Sequence, residues 1–341
     1  VVSCSKAFGQ EITHNLCKQM KFKRTQALES LCQEHIKYFS FALIGFSEGV
    51  KECKKTFSSF RWNCEGNESD SDFKFIDITM ARVTKEAAFQ MAMVSAGIVD
   101  GISEQLFIEK ISPLKGKSGK HCKNNRYTRN AGQVFTSKGD CDVDLNPGVK
   151  FAVTMVKKWQ QTVKSAPVEK QMNLHNAKVG AKAIRMNMQK VCKCAGPSGN
   201  CATKCCYQTL KPLSVSAAWL KQQYLSAVKV QADPEGGRNR DGRRRLVKVV
   251  DKSPPKDTEL IYIMESPDYC LQDKEKNSLG TKGRECKPES NGADKCENLC
   301  CGRGYTTKTV VESKRCACQF RWCCKVVCER CQSVVTRHHC K

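Results

Sequence analysis

The chain has 341 residues, of which 58 are basic and 34 acidic, for a formal net charge of +24, and it carries 24 cysteines. That length predicts roughly two domains and allows a real core, so the cysteines are not needed merely to fold. Cysteines in this number argue against a reducing compartment and for a disulfide framework. A charge of this sign seeks polyanions, which outside the cell are sulfated glycans and anionic membrane surfaces rather than nucleic acid.

The first residues, Val1-Val2-Ser3-Cys4, carry no signal-peptide pattern. A leader is removed on export, so this does not argue for the cytosol. No apolar run approaches the roughly 18 residues of a membrane span. Ile36, Phe39, Leu43, Phe46 and Val50 recur every three to four residues and predict a helix from Cys32 to Val50. Cys53 and Cys64, with Trp62 and Asn63 between them, read as a short bridged connection, and Asn67-Glu68-Ser69 is an N-glycosylation sequon that matters only on a secreted chain. The strongest helix is predicted from Thr79 to Glu109, with Met80, Val83, Ala87, Met91, Val94, Ile98, Ile102 and Leu106 as one core-facing stripe. Gly97 and Gly101 within it permit close packing or a bend.

Between Ser112 and Gly139 stand Lys115, Lys117, Lys120, Lys123, Arg126 and Arg129, with no acid among them. This is a loop and a candidate polyanion site, or simply a solvated basic loop. Phe151, Met155, Trp159 and Val163 predict a further helix. Leu174, Ala177, Ala181, Ile184 and Met188 predict another, which runs straight into Cys192 and would aim the cysteine-rich segment beyond it.

That segment, residues 191–206, is the most unusual stretch of the chain. Cys192, Cys194, Cys201, Cys205 and Cys206 flank a loop from Ala195 to Asn200 whose glycines, proline and asparagine favour tight turns. Cys194 with Cys201 could close the turn, and Cys192 with Cys205 or Cys206 could staple the arms. Ser198 would then stand at the tip, either as an ordinary turn serine or as a hydroxyl presented for modification. Cys201, Thr203 and Cys205 share one face of an extended strand and Cys206 the other, so strict alternation would pair Cys192 with Cys205. Tyr207 to Val230 adds a face made by Trp219, Leu220 and Tyr224.

Residues 233–258, with Asp233-Pro234-Glu235-Gly236-Gly237, Arg243-Arg244-Arg245 and Ser253-Pro254-Pro255, read as a basic linker. It divides an N-terminal domain, 1–232, from a C-terminal one, 259–341, and no cysteine lies between Cys206 and Cys270. Twelve cysteines fall between Cys270 and Cys340, with few apolar periods, which predicts a small hairpin-rich module held by bridges. Cysteine pairs on both sides of Phe320 and Trp322 suggest a second stapled hairpin with an exposed aromatic tip, costly unless a partner covers it. Zinc is the lesser reading of Cys328, Cys331, His338, His339 and Cys340, because the paired knuckles of zinc sites are missing. Six histidines, His14, His35, His121, His175, His338 and His339, stand in no catalytic motif, so no enzyme, metal or cofactor is predicted.

Across nearly its whole length the chain resembles the Wnt family of secreted, lipid-modified signalling proteins. The motifs are Glu52-Cys53 with Arg61-Trp62-Asn63-Cys64, Met172-Asn173-Leu174-His175-Asn176, Cys192-Lys193-Cys194 with Gly196, Ser198 and Gly199, and Ser266-Pro267-Asp268-Tyr269-Cys270. Further on they are Gly280-Thr281-Lys282-Gly283-Arg284-Glu285-Cys286, Cys300-Cys301-Gly302-Arg303-Gly304-Tyr305 and Phe320-Arg321-Trp322-Cys323-Cys324. The resemblance implies an α+β chain, with a helical N-terminal domain and a small disulfide-rich, cysteine-knot-like C-terminal domain of β-hairpins. A thumb (residues 191–206) and an index finger grip the cysteine-rich domain of a Frizzled receptor. It implies palmitoleate on Ser198, added by a membrane O-acyltransferase, and a carrier during secretion. Receptor contact falls to Gly196, Pro197, Ser198 and Gly199 and to Phe320, Arg321, Trp322, Cys323 and Cys324. The linker would meet a low-density-lipoprotein-receptor-related co-receptor.

The resemblance also implies bridges Cys17–Cys32, Cys53–Cys64, Cys122–Cys141, Cys192–Cys206, Cys194–Cys201, Cys270–Cys301, Cys286–Cys296, Cys300–Cys340, Cys316–Cys331 and Cys318–Cys328, with Cys323–Cys324 a vicinal pair at the index tip. Cys192–Cys206 would need a bulge or twist to bring Cys206 round. Ala195, Pro197, Asn200 and Tyr207 depart from the family pattern, Ser103-Glu104-Gln105-Leu106 lacks a family cysteine, and Cys4 and Cys205 have no family counterpart. Two function classes are open. One is a lipidated receptor ligand in the extracellular space and matrix, glycosylated at Asn67 and held on heparan sulfate proteoglycans by the basic loop and by Arg243, Arg244 and Arg245. The other is a non-acylated, heparan-sulfate-binding structural or decoy protein on the same scaffold.

Overall fold

A computed structural model describes residues 17, 26–64, 82–111, 135–136, 142–161, 165–195, 203–239, 242–273, 278–322 and 325–341. The chain divides into two packing units. One comprises residues 1–56 and 67–266, the other residues 57–66 and 267–341.

The first unit is a helix bundle. Its members are α1 (Gln26–Glu34), α2 (Ile36–Phe57), α3 (Lys85–Ile111), α4 (Asn146–Gln160), α5 (Pro167–Met186) and α6 (Leu213–Leu225). Around α3 stand α4, α5 and α6. The expected single stripe on α3 is corrected by this surround. Ala88, Phe89, Met93, Ala96 and Val99 are as buried as Ala87, Met91, Val94, Ile98 and Ile102, so the helix is apolar on every side, as a central helix must be. By length and composition α3 could cross a membrane, against the expectation that no run could, yet here two-thirds of its most apolar stretch is buried among its neighbours.

Glycine sets how closely these helices approach. Gly45 and Gly49 on α2 face Gly97 and Gly101 on α3. A Cβ at Gly101 would stand 2.7 Å from the Gly45 Cα, and one at Gly97 would collide with the Gly45 carbonyl oxygen. Gly180 of α5 meets the Ala92 carbonyl of α3 in the same way. Of the two options the sequence allows for Gly97 and Gly101, close packing is the one the fold uses.

Asp100, on the same helix, is half-buried. Burial, then the nearby carboxylates of Glu104 and Glu48, push its pKa up to about 7. A carboxyl raised in the folded state binds its proton more tightly there than in the unfolded chain. Stability therefore falls as pH rises from about 4 to about 7 and is level above that. Asp100→Asn should remove that slope and stabilise the protein at pH 8 by about 1–2 kcal/mol, after discounting for solvent screening. Thermal unfolding at pH 5 and pH 8 checks this.

Residues 233–258 have the composition of a linker, but the described part is folded onto the helical unit. Strands β4 (Val228–Ala232), β5 (Leu246–Lys248) and β6 (Ile261–Tyr262) form one sheet in the order β5-β4-β6. Val230, Leu246 and Ile261 share a buried cluster with Val83 and Met172. The amide of Asn176 holds Ile261 at both ends, donating to its carbonyl (2.9 Å) and accepting from its N–H (3.0 Å). His175 donates from Nε2 to the Glu259 carbonyl (2.9 Å), and burial lowers its pKa, which keeps the ring neutral. The stretch 233–258 resembles open chain because prolines, glycines and arginines dominate it, while the few apolar residues that dock are too sparse to show a period.

In the second unit sulfur replaces much of the usual core. Cys286, Cys296, Leu299, Cys300 and Cys340 are its buried cluster. Bridges Cys270–Cys301, Cys286–Cys296 and Cys300–Cys340 tie together the short strands β7 (Gln272–Asp273), β8 (Ser278–Leu279) and β9 (Glu285–Cys286), helix α7 (Cys296–Leu299) and the C-terminal end of the chain. From this base rises a ribbon of two long antiparallel strands, β10 (Tyr305–Arg321) and β11 (Lys325–Cys340).

Candidate functional site

Two hairpins, one in each unit, carry the residues singled out by the sequence. The first consists of β2 (Met188–Ala195) and β3 (Thr203–Leu210). Its arms grow directly from the bundle. Helix α5 ends at Met186, Asn187 closes its last turn by donating to the Ala183 carbonyl, and β2 begins at the next residue. On its outer side β3 pairs in parallel with β1 (Phe135–Thr136), and Asp142 accepts a hydrogen bond from the Gln208 N–H (2.7 Å). Tyr207 packs against Phe107 of α3, with ring centroids 6.0 Å apart, so the aromatic that departs from the family pattern still ties the hairpin to the bundle.

Cys192 is bridged to Cys206. The register places these two residues directly opposite each other, with Lys193 opposite Cys205 and Cys194 opposite Lys204. The bridge is the one that the family resemblance implies; the pairing with Cys205 that strict alternation favours is corrected, and the register runs unbroken without a bulge. Alternation says which residues of one strand share a face, but only register says which residue of the partner strand they meet. Gly196, Pro197, Ser198, Gly199 and Cys201 lie outside the described residues, as do Cys122, Cys141, Cys323, Cys324, Asn67 and the basic residues from Lys115 to Arg129. Cys53 and Cys64 are both disulfide-bonded, and Cys17 is bridged to Cys32.

The second hairpin is the ribbon β10–β11. Most of its residues are exposed, and an isolated pair of strands is marginal in water. Cys316–Cys331 and Cys318–Cys328 staple it near its far end and Cys300–Cys340 near its foot. The staples also account for Cys328, Cys331 and Cys340, which sets aside the zinc reading for those residues. Between Cys316 and Gln319 the register shifts, so that Ala317, at φ +45°, and Cys318 are matched by the single residue Cys328. Lower on the ribbon Arg337 bridges Glu312 and Glu285, and Lys314 joins Glu312 at 2.9 Å. Arg337 and Lys314 hold the Glu312 carboxyl below the usual range.

The tip exposes large aromatic side chains. Trp322 is 93% exposed and Phe320 69%, with Arg321 exposed between them. Trp322 therefore does not pack between the strands. A rigid, disulfide-stapled arm that holds a large aromatic in water can serve as an anchor for another surface.

The Wnt family model matches residues 19–341. The chain belongs to the Wnt family. Wnt-2b of Homo sapiens is 35% identical over 319 residues, covering 91% of this chain and 76% of its own length. Wnt-11 of Gallus gallus is 33% identical over 334 residues, covering 95% and 88%. Among solved structures, a chain of the complex of human WLS with WNT8A is similar, at 26% identity and a TM-score of 0.59, covering 90% of this chain and 95% of that one. Wnt proteins are secreted signalling ligands and not enzymes, and this chain shares both their sequence and their mixed helical and disulfide-rich architecture.

The Wnt motifs now have physical roles that spacing could not supply. Met172, His175 and Asn176 seat and hold the strand at Ile261. Arg61 donates to the Asn298 carbonyl, while Arg284 donates to the carbonyls of Arg61 and Ser58 (2.8 Å each). Glu86, buried within the first unit, accepts from Tyr224 (2.9 Å) and Ser266 (2.8 Å). Nothing in the helical pattern marks Glu86, since an acid in the first turn of a helix reads as an exposed residue that complements the helix dipole.

Proposed function

We propose that this Wnt protein is a lipidated ligand that grips the cysteine-rich domain of a Frizzled receptor with two fingers. A palmitoleoyl chain on Ser198 forms one grip, and the β10–β11 tip forms the other. The observation that carries this reading is the tip itself, with Trp322 almost fully exposed on an arm that disulfides hold out from the sulfur core. A membrane O-acyltransferase would add the acyl chain, and a carrier would shield it during export. The solved relative in complex with WLS supports the carrier. Trp322→Ala should weaken receptor binding by about 2 kcal/mol, roughly 30-fold, and leave unfolding unchanged, because the side chain buries almost nothing in the free protein. Titration of the variant against an immobilised Frizzled cysteine-rich domain tests this, and undiminished affinity would remove the tip from the interface.

The hairpin that bears Arg243, Arg244 and Arg245 is exposed along that run and suits a sulfated glycan, in line with the charge of +24. Retention on heparin should fall steeply with salt, since such contacts are screened over about 8 Å at physiological ionic strength. Arg243→Gln with Arg244→Gln and Arg245→Gln should elute at lower salt than the parent, and an unchanged elution would leave the glycan role to the basic loop alone. The same surface is proposed to meet the low-density-lipoprotein-receptor-related co-receptor, so glycan and co-receptor would compete for it.

A further inference from the structure

The arginine-rich hairpin differs from every other described basic run in what holds it. Between Ala232 and Leu246 no described side chain is buried, and Arg243, Arg244 and Arg245 are all exposed. Polar contacts hold it: Asp233 donates to the Arg245 carbonyl (2.8 Å), Arg238 donates from Nη1 to the Gly242 carbonyl (2.8 Å), and the Asn239 side chain donates to Gln171 Oε1 of α5 (3.1 Å). Arg245 donates to the Gly237 carbonyl (2.8 Å), Asn239 to that of Arg243 (2.7 Å) and Gly242 to that of Asn239 (2.9 Å). Lys54-Lys55 and Lys157-Lys158 lie within helices, where an endoprotease cannot draw the chain into an extended groove. Lys314-Arg315 lies in the ribbon, and the Cys300–Cys340 bridge spans it, so a cut there would leave the pieces joined.

No bridge with both cysteines named among the described residues spans the arginine hairpin, and Cys53 and Cys64, each disulfide-bonded, both lie before it. Cys17–Cys32 and Cys192–Cys206 lie before it, and Cys270–Cys301, Cys286–Cys296, Cys300–Cys340, Cys316–Cys331 and Cys318–Cys328 lie after it. Yet the chain just beyond the hairpin is well seated. Leu246 and Ile261 are in the core cluster, Asn176 clamps Ile261, Ile263 donates to the Val83 carbonyl (2.8 Å), and Ser266 donates to Glu86.

We infer that this hairpin is a processing site for an arginine-directed serine endoprotease, and that cleavage converts the protein into two chains held together by packing and hydrogen bonds, without a disulfide between them. The enzyme would take a guanidinium in an acidic specificity pocket. Hydrolysis consumes one water, leaving a carboxylate on Arg243 or Arg244 and a new amino group on the next residue. Cleavage after Arg245 is disfavoured because Leu246 and Val247 are buried. Exposed hairpin tips are preferred sites of nicking. The site does not depend on the receptor reading. If that reading holds, the cut places Ser198 on one chain and Trp322 on the other.

The test is limited digestion of the full secreted protein with trypsin at low ratio, with N-terminal analysis and electrophoresis without reductant. A new N-terminus at Arg244 or Arg245 should appear among the first cuts. The two fragments should separate in denaturant without reductant, yet co-elute on size exclusion under native conditions. The triple glutamine variant at Arg243, Arg244 and Arg245 should lack that cut and keep the parent's unfolding temperature. Survival of the hairpin while other bonds are cut would overturn the site. Fragments that part only after reduction, or that drift apart in native buffer, would overturn the non-covalently held two-chain form.

Discussion

Gly97→Ala should destabilise the helical unit by about 3 kcal/mol or more and sharply lower the secreted yield. The added methyl would meet the carbonyl oxygen of Gly45 and the Gly49 backbone at 3.0 Å. Backbone cannot step aside as a side chain can, so α2 and α3 would have to separate. Helix α3 is buried on every side, and moving it would disturb its contacts with α4, α5 and α6 as well. Gly236→Ala is the control. Gly236 has φ +81° but open space around its Cβ position, so the cost there is only the left-handed backbone, about 1 kcal/mol. A loss at Gly97 no larger than that at Gly236, read by thermal unfolding, would contradict the close approach, because Gly97 has ordinary helical backbone that alanine adopts readily.

Ser198→Ala should abolish signalling while leaving unfolding and disulfide content unchanged. A sixteen-carbon chain contributes roughly 0.8 kcal/mol per buried methylene. About ten buried methylenes would give about 8 kcal/mol before ordering costs, equivalent to micromolar binding from the lipid alone. Trp322, at about 2 kcal/mol, is the smaller anchor, so the two variants should differ in degree: loss of response for Ser198→Ala and a right-shifted response for Trp322→Ala. A cell-based pathway reporter with purified protein reads both. Equal, mild shifts would mean that the acyl chain does not dominate.

Much of the architecture is legible in the sequence because its signals are local. Apolar recurrence marks α2 and α3, the glycine- and proline-rich turn marks the hairpin after α5, and the density of cysteine after Cys270 marks a module without a conventional core. What escapes the sequence depends on register and distant partners. Cys192 meets Cys206 because β2 and β3 pair in one register among several that spacing allows. Asn176 is an ordinary helical polar residue until Ile261 arrives 85 positions later to be held by it. The chain around Arg243 reads as linker because its docking residues, Leu246 and Ile261, are isolated in sequence and meet Val83 and Met172 only in the fold. Trp322 can be placed at a tip from its flanking cysteines, but only the structure shows that it faces water and not the other strand.

The most direct test of the ligand account is the mass of the peptide that carries Ser198, released from the secreted protein. The account predicts a mono-unsaturated sixteen-carbon acyl ester on the Ser198 hydroxyl. An unmodified Ser198 in a preparation that activates the pathway would contradict it, and would leave a heparan-sulfate-binding protein on a Wnt scaffold that engages its receptor without lipid.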